Sequence, residues 1–201
     1  MKKGLIFLVF LGIVLIAVSP AQALFLSNES FEDGMNYWSE YTEGNGNAYA
    51  DDSHYILGYG WLTATDGDYF ANLKATAIIS QPTSWVVGDT LTFDYAWDLD
   101  DYLNDQGALG IFDANDNLID SVILGDNSGS MDWQSYTYAF SSAGNGYIKF
   151  GSLNYEDEWF DSRLLIDNIS TASVPEPGTI VLMGLGLVGL AGMGRKKLFK
   201  K

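Results

Sequence analysis

Hydrophobic and polar residues alternate along most of the chain between residues 24 and 173. In segment 91–98 the odd positions carry Leu, Phe, Tyr and Trp, whereas the even positions carry Thr, Asp, Ala and Asp. A period of two is typical of a β-strand with one buried face. Similar patterns predict strands at 48–50, 69–73, 77–80, 109–112, 118–124, 133–140, 147–151 and 164–169. Turn residues separate these short strands, so we expect an all-β domain, a jelly-roll β-sandwich.

The two ends of the chain follow different patterns. Lys2 and Lys3 precede an apolar run at 4–18, and Ala21-Gln22-Ala23 supplies small residues at the A-x-A positions. This order predicts a signal peptide at 1–23, cleaved after Ala23. An uncleaved anchor helix is the alternative, although about 15 apolar residues are short for a membrane span.

The segment 174–201 combines a proline motif, an apolar run at 180–193 and a basic tail at 195–201. Prolines end regular structure, the apolar run suits a transmembrane helix, and basic residues stay on the cytoplasmic side. The motif Val174-Pro175-Glu176-Pro177, followed by Gly-Thr, resembles the PEP-CTERM sorting domain. An ordinary C-terminal anchor with a single span is the alternative.

This resemblance implies how the protein is sorted after export. It implies that Val174, Pro175, Glu176 and Pro177 form the sorting motif that an exosortase-type membrane enzyme recognises. The C-terminal helix would hold the chain in the inner membrane before processing. Delivery to the cell surface or to the exopolysaccharide matrix of a Gram-negative biofilm would follow.

Charge narrows the choice of ligands for the central part. All 26 acidic residues lie between Glu29 and Glu176, where the only bases are Lys74, Lys149 and Arg163. Such a field repels phosphate backbones, which excludes nucleic acid as a partner and favours cations and neutral or cationic ligands. The chain has no cysteine, so disulfides, a thiol nucleophile and cysteine-ligated metals are excluded as well.

A second resemblance extends over most of the central domain, residues 24–173. The opening N-E-S-F-E-D-G at 28–34 is followed by Trp38 and by the segments 66–70, 79–81, 87–94 and 165–169. Together they resemble galactose-binding-like jelly-roll modules, including many carbohydrate-binding modules. The resemblance implies a structural Ca²⁺ held by Glu32 and Asp167. Ca²⁺ prefers six to eight oxygen ligands, and a bound ion would link the first strand to the last. The alternative is that both residues are solvated acids at strand ends.

Two other acidic segments are weaker candidates for a cation. The cluster at 98–101 with Asp105 offers several carboxylates, which is a further possible Ca²⁺ site. The segment 113–120 resembles the start of an EF-hand only loosely, because the required Gly and the terminal Glu are missing. We expect a plain turn at this segment.

Aromatic residues beside Gly- and Asp-rich loops suggest a polysaccharide site, because flat rings stack on sugars while polar groups bind hydroxyls. The predicted ligand-binding rings are Tyr59, Trp61, Trp97, Tyr102 and Trp159. The rings expected in the core are Trp38, Phe93, Trp133 and Phe150.

Signals for catalysis are poor. His54 is the only histidine, it lies in a polar segment, and no G-x-S-x-G turn occurs. We therefore predict a protein that is not an enzyme. Three hypotheses remain: a surface or matrix protein that binds polysaccharide, a structural or adhesive matrix component without a defined ligand, and an extracytoplasmic hydrolase.

Overall fold

A computed structural model describes residues 24–100, 104–154, 161–174 and 184–186. Its ten strands are β1 (Ser39–Asp51), β2 (Ser53–Ile56), β3 (Gly60–Thr63), β4 (Phe70–Trp85), β5 (Thr90–Asp98), β6 (Gln106–Asp113), β7 (Leu118–Gly125), β8 (Met131–Ala139), β9 (Gly144–Leu153) and β10 (Arg163–Ala172). This confirms the prediction of an all-β domain.

Eight strands form one antiparallel sheet, in which β4 connects two groups of strands. The order is β7-β6-β9-β4-β10-β5-β8, and β1 pairs with the other edge of β4. The first part of β4 pairs with β10 through 71–74, and its second part pairs with β9 through 77–85. Ala75 lies between the two parts with a φ of 53°, so the strand changes direction there. The sheet therefore curves into a sandwich- or barrel-like shell.

The main core fills the inside of this shell. Its large side chains include Phe93, Trp97, Phe150 and Ile79, none of which is exposed to solvent. Trp38 is also buried and lies 6.2 Å from the Phe150 ring, between centroids. These positions confirm the expectation that Trp38, Phe93 and Phe150 belong to the core.

A second, smaller core lies on the outer face of the sheet. Leu165 on β10 points away from the main core, because its neighbours Leu164 and Ile166 point into it and strand side chains alternate. The separate hairpin β2–β3 covers this outer face with Ile56 and Leu62. The complete small cluster comprises Ile56, Leu62, Phe70, Ala96 and Leu165, with Ala64 and Trp133 at its edge. Trp133, expected in the core, is thus a half-buried ring of this smaller cluster.

Residues Ala23–Ser173 form one compact unit that contains all ten strands and both cores. Both hydrophobic cores are formed by residues within this range, so we expect residues 24–173 to fold on their own. Of the second unit, the structure describes only Val174 and one helical turn at 184–186. No helix in the described parts is long and apolar enough to cross a membrane. The predicted signal peptide, most of the apolar helix at 180–193 and the basic tail lie outside the described residues.

Candidate functional site

Three exposed aromatic side chains lie on the hairpin β2–β3, and we call Tyr55, Tyr59 and Trp61 the ring surface. Tyr55 and Trp61 are cross-strand partners whose ring centroids lie 5.7 Å apart, edge to face. Trp61 is 71% exposed, and the two tyrosines are about half exposed. Two of these residues, Tyr59 and Trp61, were predicted as ligand-binding rings, and the structure places both on this hairpin. Their role in ligand binding stays a prediction, and their exposure is compatible with it.

Contacts with the main sheet hold the hairpin in place. Below it, Ile56 and Leu62 are buried against Phe70 and Leu165. At its sides, the indole of Trp133 donates to the carbonyl of Thr63 at 3.0 Å, and His54 Nε2 lies 2.8 Å from Asp98 Oδ2. The ring surface is therefore presented on a supported element, which lowers the entropy cost of binding.

The other predicted rings have different positions. Trp97 is fully buried, its indole donates to the carbonyl of Asp126 at 3.0 Å, and the absence of side chains at Gly107 and Gly125 leaves space for its ring. The prediction that Trp97 binds a ligand is therefore wrong. Alternation along β5 is the physical cause: Trp97 lies on the same face as the buried Leu91 and Phe93, although it borders an acidic loop. Tyr102 and Trp159 lie outside the described residues.

The two carboxylates expected to hold Ca²⁺ both bind the loop 65–69, which leads from β3 to β4. Glu32 Oε1 accepts from the backbone N–H groups of Asp68 and Tyr69, at 2.8 and 2.9 Å. Asp167 Oδ2 accepts from the N–H groups of Thr65 and Asp66, at 2.6 and 3.0 Å, and from the Thr65 hydroxyl at 3.1 Å. We call Glu32, Asp167 and the loop 65–69 the carboxylate clamp.

Gly67 is required at the centre of this clamp. Its φ is +75°, in the region that favours glycine, and a Cβ there would overlap the Glu32 carboxylate. The turn residues Asp66-Gly67-Asp68 were the sequence signal for this segment, but the sequence did not indicate that both carboxylates bind the same loop.

The second oxygen of Asp167 makes the clamp a candidate cation site. Asp167 is fully buried, and its Oδ1 has no donor at hydrogen-bonding geometry among the described residues. Burial raises the pKa of Asp167, against the lowering effect of N–H donors from Asp66, Asn168 and Thr65 and of the Thr65 hydroxyl. A buried carboxylate oxygen without a donor fits a cation ligand. Further ligands would have to be neutral oxygens, because no group of three or more His, Cys, Asp or Glu residues suited to a metal occurs in the described parts.

Two of the remaining polar candidates, His54 and Asp113, make local contacts. His54 pairs with Asp98, and both side chains are largely buried. Asp113 accepts from the N–H groups of Asn115 and Asn117, both at 2.8 Å, which is the plain turn that the sequence predicted. Asp105 is buried, whereas Asp101 of the same predicted cluster lies outside the described residues.

A groove of about 280 Å³, which no sequence pattern indicated, lies on the outer face of β6, β7 and β9. Its apolar walls include Ile78, Phe112, Leu118 and Ile123, and Lys149 lies above the Phe112 ring at 4.3 Å. Outward-facing apolar residues on β6 and β7 were the available signal, but alternation alone does not tell which face of a strand is covered.

Comparison with known proteins gives matches for the C-terminal segment and for the β-domain. Residues 173–196 match the PEP-CTERM protein-sorting motif. Val174 is exposed, while Pro175, Glu176 and Pro177 lie outside the described residues. The motif indicates an exported protein with a membrane-anchored C-terminal segment that exosortase processes. A comparison with curated protein sequences finds no match.

Several solved structures share the fold. TmCBM61 in complex with β-1,4-galactotriose is 18% identical over 75% of this chain and 99% of that chain, with a TM-score of 0.51. The K3 cleaved adhesin domain of Lys-gingipain from Porphyromonas gingivalis w83 is 17% identical over 77% and 100%, also with a TM-score of 0.51. At these identities the likeness concerns the fold alone. The chain thus carries a PEP-CTERM sorting motif, preceded by a domain with the β-sandwich fold of carbohydrate-binding modules.

Proposed function

We propose that this protein is sorted to the cell surface or extracellular matrix and that its β-domain binds polysaccharide without catalysing a reaction. The observation that carries the proposal is the ring surface on the hairpin β2–β3. Trp61 leaves 71% of its surface in water, although burial of an aromatic ring is favourable. A sugar ring stacked on these side chains would cover that apolar area, and neighbouring polar groups would bind its hydroxyls.

The acidic domain favours a neutral glycan. With 26 acids against three bases between residues 29 and 176, an anionic polymer would meet long-range repulsion. The structural neighbour TmCBM61 binds β-1,4-galactotriose, a neutral saccharide, which makes β-1,4-galactan a suitable first ligand to test.

Affinity electrophoresis of residues 24–173 in gels containing β-1,4-galactan, xylan, mannan or dextran tests this proposal. We expect retardation by at least one neutral polysaccharide and a loss of roughly 2- to 12-fold in affinity for Trp61→Ala, the value of one aromatic contact. Tyr41→Ala is the matched control, because Tyr41 is an exposed tyrosine on β1, away from the hairpin. Equal retardation of the wild type and Trp61→Ala would remove the ring surface as the site, and no retardation in any gel would refute neutral-glycan binding.

We also propose that the carboxylate clamp holds a structural Ca²⁺. Asp167 Oδ1 and the oxygens of Glu32 supply anionic ligands, and the acidic domain attracts divalent cations. When bound, the ion neutralises a buried carboxylate and crosslinks the N-terminal segment, loop 65–69 and β10. That linkage replaces the disulfides that a chain without cysteine cannot form.

Thermal unfolding of residues 24–173 with EDTA or with millimolar CaCl₂ tests the Ca²⁺ site. A ligand that binds only the native state raises the melting temperature by mass action. We expect a rise with Ca²⁺ that Glu32→Gln and Asp167→Asn both abolish, whereas the exposed Asp116→Asn retains it. A rise of equal size in all four proteins would mean that Ca²⁺ acts elsewhere.

The groove on β6, β7 and β9 supports a second candidate function, adhesion within the matrix. Leu118 and Ile123 both line this groove and are each 57% exposed, so the groove offers apolar surface that a partner can cover. If adhesion through this face is the main role, Leu118→Ser with Ile123→Ser will weaken retention of the domain on isolated matrix, and Trp61→Ala will not. The opposite result favours the polysaccharide site.

A further inference from the structure

Tyr37 adopts a backbone conformation that is unfavourable for a bulky residue. Its φ is +72°, in the left-handed region that L-residues rarely occupy. Seven non-glycine residues in the described parts have positive φ: Asn28, Phe31, Tyr37, Ala75, Asn104, Asp116 and Asn168. Four are Asn or Asp, which tolerate this region best. Of the remaining three, Phe31 and Ala75 are buried, and only Tyr37 is exposed.

The contrast with Phe31 shows why this exposure matters. Phe31, in the same loop, has a φ of 58°, but its ring is fully buried and stacks on Trp38 with centroids 5.6 Å apart. Burial of that ring offsets its backbone strain. Tyr37 is 68% exposed, and its side chain makes no hydrogen bond or ring contact with another described residue. Within the domain, the Tyr37 ring therefore contributes little that would offset its strain.

The loop around Tyr37 is fixed on both sides. The Asn28 amide donates to the carbonyls of Gly34 and Asn36, at 2.7 and 3.0 Å. The indole of Trp38 donates to the backbone carbonyl of Asn28 at 3.2 Å, and the Trp38 ring is buried. With Asn36 and Trp38 both held, Tyr37 is forced outward in its strained conformation rather than left in a loose loop.

We propose that Tyr37 is a further ligand-binding residue, whose ring stacks on a sugar ring of the bound polysaccharide. This inference rests on the function proposed above. A strained backbone that directs a flat, amphipathic ring into solvent is expected at a binding site. Stacking of the ring on a ligand would supply favourable contacts that offset the free energy of the backbone strain.

The loop of Tyr37 is also connected to the ring surface. It includes Glu32, which holds the N–H groups of Asp68 and Tyr69 in the loop that continues from the hairpin β2–β3. The Tyr37 loop and the ring-bearing hairpin thus share one support, the carboxylate clamp. Such a shared support suits two contact points for one extended polymer.

The test separates the backbone strain of Tyr37 from its ring. Tyr37→Asn removes the ring but suits the left-handed conformation, so we expect an unchanged or higher melting temperature together with a loss of roughly 2- to 12-fold in affinity for β-1,4-galactan or the best of the four polysaccharides. Tyr37→Phe keeps both ring and strain, and it should bind within twofold of the wild type. Tyr41→Ala controls for loss of an exposed tyrosine without positive φ.

The outcomes distinguish this inference from the proposed function. If Trp61→Ala weakens binding while Tyr37→Asn does not, Tyr37 is no binding residue and the ring surface stands alone. If Tyr37→Asn lowers the melting temperature by several degrees, the strain argument fails, because the native tyrosine would then stabilise the loop. If no polysaccharide binds the wild-type domain, both the proposed function and this inference are refuted.

Discussion

At the scale of single residues, Asp167 has the least usual environment in the domain. One of its oxygens accepts three hydrogen bonds from Thr65 and Asp66, whereas no donor of a described residue reaches the other oxygen at hydrogen-bonding geometry. Burial raises the pKa of this carboxyl, so the folded domain favours its protonated form when no cation is bound. Its contribution to stability is then complete below the ordinary pKa of about 4 and is lost as the pH rises through the raised pKa.

Asp167→Asn should therefore change how stability depends on pH in the absence of metal. An amide has the shape of the protonated acid and does not ionise, so the melting temperature of the variant in EDTA should fall less than that of the wild type between pH 4 and pH 7. Differential scanning calorimetry at both pH values measures this difference. Glu40→Gln removes an exposed carboxylate on β1 and should keep the wild-type slope. If Asp167→Asn also keeps that slope, the buried carboxylate is stabilised by contacts other than those observed.

At the scale of elements, the hairpin β2–β3 depends on the sheet beneath it. It pairs only with itself, and an isolated two-stranded hairpin is marginally stable in water. Its attachment depends on Ile56, Leu62 and the hydrogen bond from Trp133 to Thr63. We therefore expect the hairpin to detach locally without unfolding of the main core.

Ile56→Ala should loosen the hairpin selectively. The isoleucine is fully buried, and truncation of such a side chain costs about 2–5 kcal/mol where the surroundings cannot relax. We expect faster amide exchange throughout β2 and β3, with unchanged protection in β5 and β9, measured by hydrogen exchange and mass spectrometry. Leu57→Ala, a truncation at the exposed hairpin tip, is the control. Equal loss of protection in β5 would instead show that the hairpin and the sheet unfold together.

The same hairpin shows where sequence patterns were insufficient. Short apolar or alternating segments between turn residues predicted strands β5 to β10, and Glu32 and Asp167 were identified by motif. The strands β2 and β3 have four residues each and flank glycines, so their rings were interpreted as belonging to loops. The pattern also predicted two strands, at 69–73 and 77–80, where β4 is continuous, and nothing in the sequence indicated the left-handed conformation of Ala75 between them. Bulges and partner changes depend on tertiary packing, which local periodicity does not contain.

At the scale of the whole domain, a side-chain contact links the two ends of the sheet. Tyr138 on β8 donates its hydroxyl to Asp120 on β7 at 2.8 Å, although these strands lie at opposite ends of the strand order. Burial, followed by the hydrogen bond to Asp120 and its charge, raises the pKa of Tyr138 to about 12. This contribution to stability is complete below the ordinary pKa of about 10 and is lost as the pH rises through about 12.

Tyr138→Phe should remove this contact while keeping the ring beside Phe140. We expect a loss of about 1 kcal/mol at pH 7 and a shallower decline in stability between pH 10 and pH 12 than in the wild type. Urea unfolding across this pH range measures both. Tyr41→Phe serves as the control, because Tyr41 is exposed on β1. Wild-type and Tyr138→Phe proteins of equal stability at pH 7 would show that packing alone joins the ends of the sheet.

The excess of acidic residues gives a last prediction for the domain as a whole. Each of the three bases already has a polar partner: Lys74 and Lys149 pair with Asp161 and Asp116 at 2.6 Å, and Arg163 donates to Tyr49 at 3.1 Å. Most carboxylates therefore repel one another without a counter-charge, and this repulsion destabilises the compact state. Raising NaCl from 0.01 to 0.15 M shortens the screening length from about 30 to about 8 Å, so the melting temperature in EDTA should rise.

At constant ionic strength, replacing part of the NaCl with CaCl₂ should raise the melting temperature of the wild type further, but not that of Asp167→Asn. Screening affects all carboxylates in both proteins, whereas Ca²⁺ binding at the clamp requires the Asp167 carboxylate. A melting temperature that falls with NaCl would mean that attractive ion pairs, such as that between Lys74 and Asp161, outweigh the repulsion. If Ca²⁺ raises the melting temperatures of the wild type and of Asp167→Asn equally, the ion acts only by screening the carboxylates and not by binding at the clamp.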